Sequence, residues 1–409
     1  METRKFSLII PTRERADTLR SCIKTAVMQT YGNLEIIISD NFSQDHTKTC
    51  VESFQDKRIR YINTRKRVSM TENWEFALSH ATGDWVTILG DDDGLMPGCF
   101  ESINALIHAT QAQAVRSRAC SFVWPSAQSD GAFMPLNVPL SRGWEIRSSE
   151  KWIKEVLRGG ANYSELPMLY NGGFVDMKII RTWMQTHTRF FNSRIPDVYS
   201  GLFLAHMLPS YVYFFEPVAV NGTSAHSTGL SQFRANSKSS AKSAIPATQF
   251  AQETNLPFHP SVPLGKSGDV PKSILALIYE SHAQVAQVVP QACALQASEQ
   301  LKNILAFPGL DAQAMADWTQ QFVQLHGLNL SKIQKSLKFK KLQMAVSFYT
   351  YRLSLVLNSY FHDDKNTSPT DVYAAAVLAA KIKVRRSAKL SNLIKNLWRT
   401  YIRLRKNKT

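Results

Sequence analysis

The sequence predicts an α/β domain with a mostly parallel sheet, followed by an all-α region. Two observations predict this order. Over about the first 95 residues, short apolar runs alternate with a polar stretch of helical periodicity, which is the pattern of successive βαβ units. From residue 271 onward the apolar residues recur at helical spacing and no further strand pattern is evident.

Four apolar runs predict strands, and one periodic stretch predicts a helix between the first two. The runs cover residues 6–10, 34–40, 60–63 and 85–89, and the helical stretch carries apolar residues at 19, 22, 23, 26 and 27. The last run lies between Gly83 and Gly90, which bound a short buried strand. These elements place several strand ends at one edge of a sheet.

Three consecutive aspartates, Asp91, Asp92 and Asp93, follow the fourth predicted strand. Three adjacent carboxylates repel one another unless a cation lies among them, and carboxylate ligands suit Mg²⁺ or Mn²⁺. A second strand ends in Asp40. Because open α/β sheets bind ligands beyond the carboxyl ends of their strands, we expect a polar, phosphate-bearing ligand here. The alternative is a solvated acidic turn before Pro97.

Two segments resemble the inverting, nucleotide-sugar-dependent family 2 glycosyltransferases. The stretch FSLIIPTRERADTLRSCIKTAVMQTYGNLEIIISDNFSQDHT is similar to the opening of that family, and ATGDWVTILGDDDGLMPG is similar to its Asp-x-Asp segment. The resemblance is strong over residues 4–110 and weaker to residue 235. It implies a Rossmann-like catalytic domain of the GT-A type over residues 1–235. Many members carry an aspartate where Gly90 stands in this chain.

The resemblance also implies roles for residues of the donor site. Thr12 and Asp40 would contact the nucleotide base, Asp91 would lie near the ribose, and Asp92 and Asp93 would hold the metal that bridges the donor diphosphate. A divalent ion stabilises the negative charge that accumulates on a departing nucleoside diphosphate.

Two arginines and one histidine are further candidates for the donor site. Arg13 and Arg15, in the loop after the first strand, would help to neutralise phosphates, or they are simply solvated loop arginines. His226 lies in a late loop where related folds place an extra diphosphate or metal contact, although a lone loop histidine is more often a surface residue.

An inverting transfer needs a general base that deprotonates the acceptor hydroxyl. Asp197 follows Pro196, opens an apolar helical stretch and matches the acidic position of the family. The same place favours a helix-capping or first-turn carboxylate, and the two readings are compatible. Glu165, in a loop, is the second candidate for the base. Gly172 would allow close approach of a sugar on the acceptor side, or would serve a structural turn.

Composition limits the class of protein. The chain has 409 residues and is 44% apolar, enough for a large core. Its five cysteines include no C-x-x-C pair, which argues against a zinc site or a disulfide framework and favours a reducing cytoplasm. The first strand begins almost at the N-terminus and no stretch of 18 apolar residues occurs, so neither a signal peptide nor a membrane span is expected.

The rest of the chain divides into three predicted parts. Residues 236–270 read as a linker or irregular segment, residues 271–384 as a helical region, and residues 385–409 as a basic amphipathic helix. The helical region should contain helices over 272–305, 311–326 and 330–361 and another beginning at residues 368–371. From residue 381 onward the chain carries eleven Lys or Arg residues and no acidic residue.

The basic segment favours binding to an anionic membrane surface, because its Leu, Ile and Trp residues form one apolar stripe. Docking on the chain's own domain is the alternative, and nucleic acid is not expected as a partner because no recognised nucleic-acid module accompanies the charge. We therefore expect a cytoplasmic enzyme, peripheral on the inner face of the membrane.

The expected activity is transfer of a sugar from a nucleotide-sugar donor to a glycan or lipid-linked acceptor in surface polysaccharide synthesis, assisted by Mn²⁺ or Mg²⁺. Two other functions are compatible with the residues. One is a nucleotidyltransferase acting on a sugar phosphate, which also uses paired carboxylates and a metal. The other is a non-catalytic, membrane-associated scaffold of the same fold.

Overall fold

The structure is a computed structural model that describes most of the chain. The described residues are 3–127, 135–227, 255–264, 273–292, 295–310, 313, 315–362 and 364–385. Most of the predicted linker 236–270, and residues 386–409 of the predicted basic helix, lie outside them.

The first part of the chain forms the predicted parallel strands with helices between them. Its elements are β1 (Phe6–Thr12), α1 (Ala16–Val27), β2 (Leu34–Asp40), α2 (Thr47–Glu52), β3 (Ile59–Asn63), α3 (Met70–Ser79) and β4 (Trp85–Ile88). The strands lie in the order β4-β1-β2-β3, and each adjacent pair is parallel. The β-branched residues of β2 are buried on both faces, as a central parallel strand requires. The α/β prediction is confirmed.

The middle part of the chain extends this sheet with mostly antiparallel strands. Its elements are β5 (Gly94–Leu95), α4 (Cys99–Thr110), β6 (Ala114–Val123), β7 (Leu136–Pro139), β8 (Trp144–Ser148), α5 (Ser149–Leu157), β9 (Gly173–Asp176), α6 (Met177–Met184), α7 (Pro196–Met207) and β10 (Ser210–Thr223). Strand β9 joins β4 to β6, and β10 runs parallel to β6 and antiparallel to β5 and β8.

The last part is helical, as predicted, and includes one strand. Its elements are α8 (Ile274–Val288), α9 (Ala297–Ala306), α10 (Ala316–Leu325), α11 (Leu330–Leu357), β11 (Ser359–His362) and α12 (Val372–Arg385). The helix predicted over 272–305 is two helices, because Pro290 lies between them and cannot donate a backbone hydrogen bond. The helix predicted to reach residue 361 ends at Leu357, and the next residues pair with β7.

The helical region shares cores with the sheet domain. Leu275 and Ile278 of α8 belong to the same buried cluster as Val198 and Phe203 of α7. Helix α12 packs in another cluster with β6, β7 and β10. None of the helices in the described ranges is long and apolar enough to cross a bilayer.

Candidate functional site

The ends of β1, β2 and β4 bring the predicted donor-site residues to one edge of the sheet. Thr12 and Asp40 are register partners at the ends of β1 and β2. The hydroxyl of Thr12 donates a hydrogen bond of 2.8 Å to Asp91, which follows β4. Parallel pairing therefore joins three positions that are far apart in the sequence.

Asp91 is paired with Arg15 from the loop between β1 and α1. One guanidinium nitrogen of Arg15 lies 3.0 Å from Asp91 Oδ1, and another donates to the backbone oxygen of His226. Burial opposes the charge on Arg15, but the carboxylates of Asp91 and Asp92 raise its pKa above the usual value. Arg15 thus supplies a cation among the aspartates, and His226 contributes a backbone contact to it.

Asp92 is held by the loop that follows β10. The hydroxyls of Ser224 and Ser227 donate to its Oδ2 at 2.7 and 2.5 Å. The indole nitrogen of Trp124 donates to its backbone oxygen at 2.9 Å. The Asp92 carboxylate is bound here mainly by hydroxyl groups, which can rotate to other partners.

Asp93 is completely buried, and both of its oxygens are engaged. Oδ2 accepts hydrogen bonds from Tyr170 OH at 2.7 Å and from Gly90 N at 3.2 Å, while Oδ1 accepts from Gly222 N at 2.7 Å. Burial and the neighbouring Asp92 charge hold the pKa of Asp93 well above its ordinary value. The geometry gives Asp93 the role of a structural anchor between β4 and β10.

Gly90 stands where many family members carry an aspartate, and the structure gives a reason for the departure. A Cβ atom at position 90 would lie 2.6 Å from both Tyr170 OH and Asp93 Oδ2. These distances are shorter than van der Waals contact. The Tyr170–Asp93 hydrogen bond therefore requires glycine at this position.

A divalent metal fits one aspartate of the triplet better than the others. Within the described ranges, no group of three His, Cys, Asp or Glu side chains could hold a metal by itself. Mg²⁺ is usually held by one or two carboxylates together with substrate phosphates, so one well-placed carboxylate is a sufficient protein contribution. Asp92, with its exchangeable hydroxyl partners, fits this requirement. Asp93 suits it less well, because it is completely buried and both of its oxygens already accept hydrogen bonds from backbone amides.

Asp40 is also anchored by its neighbours. Tyr61 OH and Asn63 Nδ2 donate to its Oδ2 at 2.6 and 3.1 Å, and Ser43 N donates to its Oδ1 at 3.0 Å. Its side chain is buried. Asp40 fixes the loop after β2, and contact with a nucleotide base would need these partners to make room.

Arg13 lies in a group of positive charges beside the triplet. Burial, followed by the charges of Arg67 and Arg15, lowers the pKa of Arg13 to about 10. Three guanidinium groups within electrostatic reach of one another, next to Asp91, form a region suited to phosphate oxygens. This arrangement favours the phosphate-binding reading of Arg13 and Arg15 over that of solvated loop residues.

Asp197 lies in the first turn of α7, where the sequence predicts it, and Pro196 occupies the first position of that helix. The hydroxyl of Tyr163 donates a hydrogen bond of 3.1 Å to Asp197 Oδ2. Burial raises the pKa of Asp197 above its ordinary value. Burial, followed by the charges of Asp93, Asp92 and then Asp197, raises the pKa of the Tyr170 phenol well above its ordinary value. Tyr170 therefore lies within electrostatic reach of both the triplet and Asp197.

Glu165, the second candidate for the base, is engaged elsewhere. Its buried carboxylate pairs with Arg147 at 2.8 Å and accepts a hydrogen bond of 2.7 Å from Tyr351 OH of α11. Burial would raise the pKa of Glu165, but Arg147 and Tyr351 outweigh it, and the pKa is lowered. Glu165 therefore ties the helical region to the sheet domain.

Gly172 has a structural reason to be glycine. Its φ is +90°, a conformation that side chains disfavour, and its carbonyl accepts a hydrogen bond of 2.7 Å from Ser117 N. The structural-turn alternative explains this glycine without a bound sugar.

Several residues of the site are not evident from the sequence. Tyr163, Tyr170, Gly222 and the two serines after β10 carry no motif of their own, and they meet the aspartates only through the folded sheet. The sequence feature nearest to Tyr170 is the Asn171-Gly172-Gly173 turn, which directly follows it and could have drawn attention to this tyrosine.

Comparisons with known proteins agree with the sequence motifs. The model of the family described as Glycosyl transferase family 2 matches residues 7–129. A GalNAc(5)-diNAcBac-PP-undecaprenol beta-1,3-glucosyltransferase of Campylobacter jejuni is 38% identical over 102 residues, which are 24% of this chain and 33% of that protein. The UDP-Glc:alpha-D-GlcNAc-diphosphoundecaprenol beta-1,3-glucosyltransferase WfgD of Escherichia coli is 29% identical over 93 residues, 23% of this chain and 37% of that protein. The chain thus spans about a third of the length of these relatives.

One solved structure resembles the chain over most of its length. It is residues 1–349 of TarS from S. aureus in complex with UDP-GlcNAc, with 11% identity, a TM-score of 0.46 and coverage of 89% of this chain and 98% of that chain. The predicted fold class, an α/β sheet domain followed by a helical region, is confirmed, and β4, β1, β2 and β3 form the parallel part of the sheet. The similarity to glycosyl transferase family 2 thus covers residues 7–129, less than a third of the chain.

Proposed function

We propose that this protein is an inverting glycosyltransferase that moves a sugar from a nucleotide-sugar donor to a glycan or lipid-linked acceptor during surface polysaccharide synthesis. One observation carries the proposal. The ends of β1 and β4 bring the aspartate triplet together with an arginine group, and Tyr170, which is bonded to Asp93, is also influenced by the charge of the buried Asp197 at the start of α7. Transfer from a nucleotide sugar needs these three elements: a site for the diphosphate, compensation of its charge, and a base.

The donor diphosphate would lie between the arginines and Asp92. Arg13 and Arg15 would bind phosphate oxygens, for which the forked guanidinium is well suited. Thr12 and Asp40 would border the nucleoside, and Asp91 would lie near the ribose. The relatives from Campylobacter and Escherichia coli, named for undecaprenol-linked acceptors and, in one case, for UDP-Glc, support this class of donor and acceptor.

Asp92 would be the protein ligand of a divalent cation in this site. A bound Mg²⁺ or Mn²⁺ would neutralise the negative charge that develops on the departing nucleoside diphosphate. Arg15 already places one positive charge beside Asp91 and would stabilise the same charge from the other side.

Asp197 would act as the general base. Its carboxylate would accept the proton of the acceptor hydroxyl while that oxygen attacks the anomeric carbon and the diphosphate leaves from the opposite face. Its raised pKa suits this task, because a base is most effective when its pKa approaches the working pH. Tyr163 would orient the carboxylate through their hydrogen bond.

We further propose that the protein works at the inner face of the membrane, where a lipid-linked acceptor is accessible. The basic segment 385–409 supports this location by its charge and its apolar stripe. Each Lys or Arg near an anionic surface is worth about 1 kcal/mol.

The test is a donor screen followed by product analysis. Purified protein would be heated with individual nucleotide sugars in the presence of Mn²⁺, because a bound donor raises the midpoint of thermal unfolding. Donors that stabilise the protein would then be incubated with a prenyl-diphosphate-linked sugar. Release of a nucleoside diphosphate and a glycosylated lipid is expected.

Two outcomes of this screen would contradict the proposal. Release of pyrophosphate would identify a nucleotidyltransferase. Failure of every nucleotide sugar to stabilise the protein or to be consumed would identify a non-catalytic protein of the same fold. The variant Asp197→Asn is the matched control, because it should bind the donor without transferring the sugar.

A further inference from the structure

Helix α11 carries a continuous apolar stripe on its exposed face. Six large apolar residues of this helix are exposed, from 36% for Leu357 to 75% for Phe339. They are Phe339, Leu342, Val346, Tyr349, Leu353 and Leu357. Their spacing of three or four residues places them on one side of the helix, and eighteen residues separate the first from the last. A contiguous exposed apolar surface of this kind usually marks an interaction site.

The opposite face of α11 is fixed to the rest of the protein. Ile333 and Met344 are buried in the shared core. Nearer the C-terminal end, Tyr351 donates its hydrogen bond to the buried Glu165. The orientation of the helix is therefore set by its inner face, and the outer stripe is held toward the surroundings.

The charge of α11 indicates the kind of partner. The helix of 28 residues contains six basic residues and no acidic residue. They are Lys332, Lys335, Lys338, Lys340, Lys341 and Arg352. Only Lys340 forms an ion pair with an acidic residue among those in the described ranges, to Glu299 at 3.1 Å. A surface that complements this helix must be apolar and negatively charged.

Two parts of the protein itself could cover the apolar stripe of α11, but both are positively charged like the helix. A second copy of α11 would bring another set of cations to the same interface, and like charges at close range are destabilising. The basic segment 385–409 would do the same, because it contains no acidic residue. An anionic lipid surface meets both requirements, since acyl chains accept the apolar side chains and headgroups attract the lysines.

We propose that α11 is an interfacial membrane helix that lies along an anionic bilayer through Phe339, Leu342, Val346, Tyr349, Leu353 and Leu357. The stripe enters the boundary between headgroups and acyl chains, and the lysines around it contact phosphate groups. This contact is separate from the one expected of residues 385–409.

Docking of α11 has a consequence that rests on the proposed function. Tyr351 contacts Glu165, which is two residues from Tyr163, the hydrogen-bond partner of Asp197. A membrane-bound α11 would thereby be connected to the proposed base through Glu165, the short backbone segment 163–165 and Tyr163. An acceptor whose lipid stays in the bilayer would present its sugar on this side of the protein.

The first experiment measures binding of the full chain to vesicles of phosphatidylcholine with or without about 30% phosphatidylglycerol. The variant Phe339→Gln/Leu342→Gln/Val346→Gln removes apolar area and retains helix propensity. We expect its affinity for the anionic vesicles to fall at least tenfold. The variant Ile146→Gln/Met184→Gln, at exposed apolar positions of β8 and α6, is the matched control and should bind as the wild type does.

The second experiment measures the environment of α11 itself, because residues 385–409 can keep the chain on vesicles even when α11 does not bind. An environment-sensitive fluorophore would be attached to the variant Leu342→Cys, and labelled wild-type protein would set the background. A blue shift on anionic vesicles that weakens with salt is the expected result. An unchanged spectrum while the protein still sediments with vesicles would overturn the proposal.

Sedimentation velocity without lipid tests whether a second copy of the chain covers the stripe instead. Self-association that the triple variant abolishes would assign the stripe to a second copy of the chain and would overturn the proposal. The expected result is no dependence of the association state on these three positions. None of these three experiments uses a donor or an acceptor, so failure of lipid docking and failure of the proposed transfer are separate results.

Discussion

The assignment of Asp93 as an anchor and of Asp92 as the metal ligand makes a prediction about Asp93→Asn. The substitution keeps the shape of the side chain and replaces one acceptor oxygen with an amide nitrogen. Asp93 accepts from two backbone donors, Gly90 N on Oδ2 and Gly222 N on Oδ1. Whichever way the new amide is turned, its nitrogen faces one of these N–H groups. One buried backbone donor must therefore lose its partner.

The expected loss of stability follows from this one unsatisfied backbone donor. A buried donor left unsatisfied costs about 1–3 kcal/mol of stability. With a urea dependence of about 3 kcal/mol per molar, the midpoint of unfolding should fall by about 0.3–1 M. Asp92→Asn is the control, because the Ser224 and Ser227 hydroxyls on its carboxylate can rotate to accept from the new amide. Its urea midpoint should change less.

Two measurements on both variants complete the test: urea unfolding followed by circular dichroism, and calorimetry of UDP binding with and without Mn²⁺. Asp93→Asn should lose stability, and Asp92→Asn should lose the part of the UDP affinity that depends on Mn²⁺. The opposite pattern, in which Asp93→Asn unfolds at the wild-type midpoint yet no longer responds to Mn²⁺, would refute the anchor assignment.

Four further predictions concern the site and the C-terminal segment. Asp197→Asn should lower turnover by at least about 10²-fold while donor affinity persists, and near-normal release of diphosphate would exclude this base. The pKa of Asp197 is raised, so this carboxylate should be protonated at a pH above about 3.9, the usual aspartate pKa. The wild-type kcat/KM should therefore begin to fall above that pH on acidification. A pH profile that stays flat down to pH 4 would contradict the assignment. Gly90→Ala should destabilise the protein by about 1–3 kcal/mol through overpacking against Tyr170, measured by urea unfolding, where an unchanged midpoint would be the contrary result. Deleting residues 386–409 should weaken sedimentation with phosphatidylglycerol vesicles and leave UDP binding unchanged, and equal sedimentation would show that this segment does not bind them.

Local patterns in the sequence were sufficient for the elements that carry their own signal. Strand β2 was predicted with its observed bounds because continuous apolar β-branched residues end in an aspartate. The start of α7 was predicted because proline suits the first position of a helix. Strand β11 was missed because its aromatic residues continue the apolar pattern of α11. Only pairing with β7, more than two hundred residues earlier, makes them a strand.

The candidate site divides in the same way. Local motifs are enough to propose the triplet and Asp197 as site residues, whereas the different roles proposed for Asp92 and Asp93 depend on partners that are distant in sequence. Tyr170 is 77 residues from Asp93, and Gly222 is 129 residues from it. Glu165, the second candidate for the base, looks available in the sequence as a loop carboxylate, but in the fold it is buried against Arg147. Sequence patterns report residue chemistry, and only the fold reports which groups are already engaged.

The two serine hydroxyls on Asp92 have a consequence for ligand affinity. A cation that binds at Asp92 Oδ2 must displace Ser224 and Ser227, so the protein contains an internal competitor for its own ligand. The observed affinity is then the intrinsic affinity reduced by the population of the serine-bound state. Binding of the cation would also loosen the loop after β10, because it would remove the Ser224 and Ser227 bonds to Asp92 and leave the His226 carbonyl bonded to Arg15. Occupancy of the donor site and the conformation of this loop are therefore coupled through a single carboxylate oxygen.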